Sequence, residues 1–544
     1  MSVDLAYLSA DVFPLSPIAR AALSDRPRPR ALPGMVVPAR VGDVAEPEDR
    51  FDQEERRELA TILERELGRH EPHVAVLESA RALATPGATC VVTGQQPGFL
   101  GGPLYNVYKA LTAIRLARDL SNAWERPVVP LFWNHGDDHD IAEVHSLHVV
   151  NPNLDLRKVS LAGMSSGKRP FSSIVLDEDE HRLTAIAELL RQTVPETTDS
   201  TRREDAIELF LPRAGESLAS AFTRTMLGLL GEQGLIVLEP DWIRPSLSRA
   251  LARIVSLDPL PALEEGAAAL RAAGHDVAID PATAALVFHH QDGKRVALRA
   301  GGDGFRYDDE PGSRTPAELA AEIVQAPQDW SAGALLRPLV QDEALPVAAY
   351  VGGWGELAYH AELPPLRARA ELPATPFVPR LSATLVDAET RRSLTKLELD
   401  VKDAVVGRPV DDDEEDDGGA EVSAKLREIA ARASDELRGL QGEMSELDPG
   451  LGVQIKRTAK QVVETVEKLA SKGDRVHRNS QGKGRRHERR IASLLRPRDE
   501  PQERVLGAFE ITARHGGAWI AELLEVMDAL PAEHLVVDLQ GDPS

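Results

Sequence analysis

Residues 88 to 133 read ATCVVTGQQPGFLGGPLYNVYKALTAIRLARDLSNAWERPVVPLFW, and this stretch decides the fold. An apolar run ends in a glycine-rich loop, a helical pattern opens at Pro103-Leu104, and a second apolar run follows. Strand, loop, helix and strand make a βαβ unit, whose two strands lie parallel. A parallel pair with a helical crossover points to an α/β class, with a Rossmann-like parallel-sheet core. The loop spacing fits neither G-x-G-x-x-G nor G-x-x-x-x-G-K-[ST]. Backbone without side chains at Gly94, Gly98, Gly101 and Gly102 allows close approach, and amides at the following helix start favour an anion. Thr93, Gln95 and Gln96 add neutral hydrogen-bonding groups. The plain alternative is a tight turn that needs positive φ.

Further units of the same kind follow. A helix over 216–231 leads into GLIVLEPDW, and a helix over 331–340 leads into LPVAAYVGG. Between them, DVAIDPATAALVFHHQDGKRVALRAGGDGFRYD alternates and turns at Asp292-Gly293 and Gly301-Gly302. It reads as antiparallel hairpins inserted in the parallel domain at about 160–330. The core is expected to span 1–385, and no chemistry is legible in the first 85 residues. A second region, 386–505, opens with the acidic run DDDEEDDGG at 411–419, read as a solvated loop. Val422, Leu426, Ile429, Ala433, Leu437, Leu440, Met444 and Leu447 then recur at steps of three and four. Asp448-Pro449-Gly450 breaks the pattern, and a second stripe runs through Ile455, Ala459, Val462, Val466 and Leu469. These predict an antiparallel coiled-coil arm whose narrow apolar edges would be covered in a homodimer. The last segment, 506–544, is expected to pack back on the core.

The 544-residue chain has 63 basic and 87 acidic side chains, a formal charge of −24. That balance argues against a general nucleic-acid or anionic-membrane binder. The single cysteine, Cys90, excludes an intramolecular disulfide and is read as a small buried hydrophobe. With no signal-like start and no 18-residue apolar run, the expected location is the cytoplasm.

Two more stretches carry chemistry. VPLFWNHGDDHDIAEVH sets Asp137, Asp138, His139, Asp140, Glu143 and His145 just past a strand, where ligands bind in open parallel sheets. Carboxylates beside imidazoles can hold an ammonium, accept a proton or ligate a metal, but no H-x-x-x-H or H-E-x-x-H spacing is present, so no metal site is assigned. YVGGWGELAYHAEL repeats strand, loop and helix, with Gly352, Gly353, Gly355, Glu356, Tyr359 and His360. Glu356 and His360 stand four apart on one helix face.

The blocks TGQQPGFLGGPLYNVYKALTAIRLA, VPLFWNHGDDHDIAEV, LLRPLVQDEALPVAAYVGGWGELAYHAEL, PRLSATLVD and PQERVLGAFEITARHG, in this order, resemble the BshC family, the cysteine ligases of bacillithiol biosynthesis. The family's TGQQ-x-G and GPLY patterns are matched by Thr93, Gly94, Gln95, Gln96, Gly98, Gly102, Pro103, Leu104 and Tyr105. Its Glu-Asp-His-Asp-Phe motif is here Asp137-Asp138-His139-Asp140-Ile141, and its Val-Gly-Gly-Pro-Gly-Glu loop carries Trp354 in place of proline. The resemblance implies a Rossmann-like core with a connecting-peptide insertion, a dimerising coiled coil, and addition of cysteine to glucosaminyl-malate. On that basis ATP is the expected activating cosubstrate, and Asp138, His139 and Asp140 the catalytic group. Asp138 or Asp140 would orient the amine and His139 would take its proton. Thr93, Gly94, Gln95, Gln96, Gly98, Gly102, Tyr105, Gly352, Gly353, Gly355 and Glu356 would bind substrate or nucleotide. Two other classes fit the residues alone: a metal-assisted hydrolase of a sugar amide, and a non-catalytic scaffold built on the helical arm.

Overall fold

Thr89–Gln95 (β1) is buried along almost its whole length, as a strand covered on both faces must be. In the computed structural model it pairs in parallel with Val128–Asn134 (β2), in register from Thr89 opposite Val128 to Gln95 opposite Asn134. The helix Leu104–Trp124 (α1) makes the crossover. Glu125 in the left-handed region ends it, and Pro127 then prevents helical continuation. Ile236–Leu238 (β3) adds to β2, while Val347–Gly352 (β4) pairs with the other side of β1 and Phe377–Pro379 (β5) with β4. The five-stranded order β5-β4-β1-β2-β3 is parallel throughout. The chain leaves β1 toward β2 and later returns on the opposite side as β4, so the order reverses at β1.

Side-chain alternation divides the core. Val91, Val128, Ala349 and Val351 pack with Ala113, Leu116, Ala117 and Leu120 of α1. Cys90, Val92, Leu131 and Trp133 belong to the larger cluster on the other face. Cys90 is wholly buried, and burial pushes its thiol up.

The structure describes residues 5–539 apart from 10–12, 14, 162–166, 177–179, 195–199, 303, 309–311, 408–417 and 481–483. The acidic run at 411–417 therefore lies outside the described residues. The chain divides into two compact units, one of residues 1–388 with 493–544 and one of residues 389–492. Among the described residues no helix is long and apolar enough to cross a membrane.

Within the first unit, the inserted hairpins form an antiparallel sheet of Ala285–Gln291, Lys294–Gly301 and Gly304–Tyr307, turning at Asp292-Gly293 with φ of 50° and 72°. Its other edge is Trp330–Ala332, where the sequence predicts the start of a helix. The helix is instead Arg337–Ala344, with Pro338 in its first turn. Gly333 passes so close to the carbonyl oxygen of Ala285 that a Cβ there would collide with it, which holds this segment against the sheet. Leu5–Leu8, Ser382–Val386 and His534–Asp538 make a separate three-stranded sheet.

The second unit contains Gly418–Gly439, a short helix Gln441–Leu447, and Pro449–Ser480. The predicted first arm is thus interrupted at Leu440. The pairing is antiparallel: Ser423 donates to Ala470 O at 3.2 Å and Arg427 pairs with Glu467 at 3.1 Å. Small residues make much of the buried seam, with Ser423, Ala430, Ser434, Ala459 and Ala470 all buried. Part of the predicted stripe faces outward, leaving Val422 58%, Ile429 51%, Leu447 76% and Leu469 55% exposed.

Candidate active site

The ladder between β1 and β2 runs one residue past the strands, His135 N donating to Gln95 O at 3.0 Å. Asn134 is buried and tied to Ala219 O at 2.9 Å and Thr223 Oγ1 at 3.0 Å, which fixes where the chain leaves the sheet. A turn follows, closed by Asp138 N to His135 O at 3.1 Å and held from outside by Phe171 N to Asp138 O at 2.8 Å. It presents Asp137, Asp138 and His139 to a cavity of about 490 Å³. Gln96 from the loop after β1 lines the same cavity. So do Phe288 and Arg295 of the inserted sheet, Trp330, Arg337, and Tyr359 of the helix Trp354–His360 (α2).

The three aspartates have separate partners. Asp137 is gripped by Arg244, which also holds Asp241. Burial alone would raise the Asp137 carboxyl, but Arg244 outweighs it and holds the group below the usual range. Asp138 accepts from Gln96 Nε2 at 2.6 Å and from the His139 amide at 2.7 Å, and Arg295 stands 3.4 Å away. The Arg295 guanidinium lies over the Phe288 ring, 3.6 Å from its centroid. Asp140 is exposed and caps Ile141–Val144 through Ala142 N at 3.2 Å. Glu143 lines the cavity, while His145 turns back to Ile141 O at 2.9 Å.

His139 stands at the cavity wall. Its Nδ1 is buried with no hydrogen-bond partner among the described residues, the nearest Asp138 oxygen being 3.6 Å away. Burial, reinforced by Arg295, lowers its pKa against the pull of Asp138 and Asp140. A neutral imidazole at a cavity wall beside a carboxylate can accept a proton near neutral pH.

The other predicted residues divide into groups. Thr93 donates to Val351 O at 2.8 Å, stitching β1 to β4. Gly94 packs on β2: a Cβ there would lie 2.7 Å from Trp133 O and 2.8 Å from His135 Nε2. Gly98 and Gly102 pack on each other, a Cβ on Gly98 coming 2.6 Å from the Gly102 Cα, and Gly102 has φ of 69°. Tyr105 lies under the Arg380 guanidinium, 5.4 Å from centroid to Cζ. Gln95 accepts from the buried Lys109 Nζ at 2.7 Å, and the same ammonium reaches Gly94 O at 2.7 Å and Glu356 Oε2 at 2.5 Å. Glu356 also accepts from Tyr350 OH at 2.6 Å and from Gly353 N at 2.9 Å. His360 does not pair with Glu356 but stacks on Tyr350, 4.7 Å between centroids. Gly352, Gly353, Trp354 and Gly355 border a second cavity of about 470 Å³, with Arg380 and Arg504 on its wall. A Cβ on Gly355 would meet nothing within 4 Å, so backbone there is open to a ligand in a way that Gly98 and Gly102 are not.

Sequence reasoning missed Lys109, Arg244, Arg295, Phe288 and Arg337. Lys109 sits on the buried face of α1. The others come from segments far along the chain, and only their tertiary placement brings them to the aspartate turn.

Residues 41–381 match the family model described as "Bacillithiol biosynthesis BshC, N-terminal Rossmann-like domain", and residues 383–539 match "Bacillithiol biosynthesis BshC, C-terminal coiled-coil domain". A protein of Koribacter versatilis (strain Ellin345) named "Putative cysteine ligase BshC" is 30% identical over 485 residues, spanning 88% of both chains. Proteins of the same name from Geobacillus thermodenitrificans (strain NG80-2) and Salinibacter ruber (strain DSM 13855 / M31) are 29% and 27% identical. The alignments cover 89% and 84% of this chain and 90% and 84% of theirs.

Proposed function

The chain belongs to the BshC family, and on that premise we propose that it is a carbon–nitrogen ligase that joins L-cysteine to the amine of glucosaminyl-malate. The cavity at the carboxyl ends of β1 and β2 is the acceptor site. The observation that carries this reading is His139: an imidazole whose pKa burial lowers, beside Asp138 and on the wall of a cavity large enough for a sugar.

An amine attacks only as the free base. Asp138, fixed by Gln96 and Arg295, holds the glucosaminyl nitrogen; the neutral amine attacks the activated cysteinyl carbonyl carbon, His139 takes the proton that nitrogen sheds, and the carbon–oxygen bond to the activating group breaks. Positioned proton transfer of this kind contributes about 100-fold to 10,000-fold in rate. Asp138 is part-buried while Asp140 is exposed to water, so Asp138 is the better ammonium partner.

ATP, when bound, supplies the leaving group that activates the cysteine carboxylate. The open backbone at Gly355, with Arg504 on the same cavity wall, suits an anionic cosubstrate better than the close-packed Gly98–Gly102 loop. The uncovered Val422, Ile429, Leu447 and Leu469 support a homodimer formed through the helical arm.

The test is to supply purified protein with cysteine, glucosaminyl-malate and ATP and to follow product mass. An ATP-dependent cysteinyl amide of the acceptor is the expected result. Cleavage of a sugar amide without ATP would replace the ligase reading with a hydrolase.

A further inference from the structure

Three arginines line the main cavity, and two of them are neutralised by the protein itself. Arg244 is held by Asp137 and Asp241, and Arg295 stands 3.4 Å from Asp138. Arg337 differs. Its guanidinium donates to Gln341 Oε1 at 3.2 Å and to Tyr359 OH at 2.9 Å, both uncharged, and lies 5.7 Å from the Tyr350 ring centroid. Among the described residues no carboxylate comes within 4.0 Å of it. The acidic group whose charge acts on it, Glu356, is already taken up by Lys109 at 2.5 Å. Lys109, Glu356 and Arg337 together thus carry one more positive than negative charge.

A guanidinium withdrawn from bulk water with only neutral partners is costly unless something anionic joins it. Its planar fork matches a carboxylate through two parallel hydrogen bonds, and here two donors are already steadied by Gln341 and Tyr359 while the group still fronts the cavity. The opposite sign is offered by the aspartate turn, where Asp137, Asp138 and Asp140, with Asp241, outnumber Arg244 and Arg295, and where His139 awaits an amine. The cavity is therefore dipolar. We propose that Arg337 is the specificity-determining anchor for a carboxylate of the acceptor, binding that end while the amine lies at Asp138 and His139. This rests on the reading of the cavity as the acceptor site.

The experiment compares two acceptors with the same amine, glucosaminyl-malate and methyl α-D-glucosaminide, which has no carboxylate. In Arg337→Met the KM for glucosaminyl-malate should rise about 30-fold or more, with kcat altered far less, because a charge-assisted contact to the substrate is lost. The preference for the carboxylated acceptor should fall at least ~10-fold, and Arg337→Lys should restore part of it as a point charge without the fork. Equal losses with both acceptors, or an unaltered KM for glucosaminyl-malate, would overturn the proposal. Calorimetric titration with L-malate alone separates this idea from the ligase reading. If wild type forms no amide from either acceptor, the ligase reading fails; malate bound at least ~10-fold more weakly by Arg337→Met than by wild type still supports the anchor, and equal binding rejects it. Should Arg337→Met not fold, Arg337→Lys is titrated in its place with the same criterion of weaker malate binding.

Discussion

Replacing Lys109 by Met tests how the ends of β1 and β4 are held together. The substitution keeps the length of the side chain and removes its charge. It leaves Glu356, part-buried, without the ammonium 2.5 Å from Oε2, and leaves Gly94 O and Gln95 Oε1 without a donor at 2.7 Å. Breaking a buried pair from one side costs about 3–5 kcal/mol, because the remaining charge stays out of water. Glu356 retains Tyr350 OH at 2.6 Å and Gly353 N at 2.9 Å, which argues for the lower end, ~3 kcal/mol. Urea unfolding followed by tryptophan fluorescence measures it, with the midpoint shift multiplied by m. Adding Glu356→Gln removes the stranded charge, so the double variant should be more stable than Lys109→Met by ~1 kcal/mol or more, and the non-additivity gives the coupling. A cost below ~1 kcal/mol for Lys109→Met, or a double variant no better than the single, would refute the reasoning.

Two other outcomes follow from the structure. Burial holds the His534 imidazole, between Ser382 and Thr384, at a pKa of about 4 against an ordinary value of 6.5. Its stabilising contribution is complete above pH 6.5 and is lost as pH falls through 4, on the order of 3 kcal/mol in all; urea titrations across that window should show His534→Asn with a shallower acid limb than wild type. For the helical arm, light scattering should give twice the chain mass for the intact protein and a monomer for Val422→Glu/Ile429→Glu/Leu469→Glu; an unaltered mass would remove the homodimer from the account.

Alternating and periodic stretches make much of this molecule legible in its sequence. The run through Val91 and Val92 could only be a doubly covered strand, and its helix and return strand follow from α1's apolar face and from Val128 to Trp133. The Asp292-Gly293 turn was legible because both positions need positive φ. Two things were hidden. Glycine chemistry does not say which neighbour makes the close approach. At Gly94 it is β2, so Val at that position would push against Trp133 O and His135 rather than simply exclude a ligand. The other hidden part is pairing across the fold. Nothing local tells that Asp137 is bound by Arg244 while Asp138 is steadied by Gln96 and Arg295, or that small residues, and not all of the larger stripe, would close much of the coiled-coil seam. The Trp330–Ala332 strand was missed for the same reason: its partner, Val287–His289, is remote in sequence.

In the function proposed above, His139 takes the proton of the attacking amine in the cavity beyond β1 and β2. The direct measurement is single-turnover amide formation by His139→Ala, with cysteine, glucosaminyl-malate and ATP, alongside calorimetric binding of glucosaminyl-malate. Turnover should fall by about 100-fold or more, with acceptor binding within a few-fold of wild type. The wild-type rate should also rise with pH to a plateau whose midpoint lies below 6.5, because burial lowers this imidazole. A folded His139→Ala protein that binds the acceptor and joins it to cysteine at the wild-type rate would contradict this role.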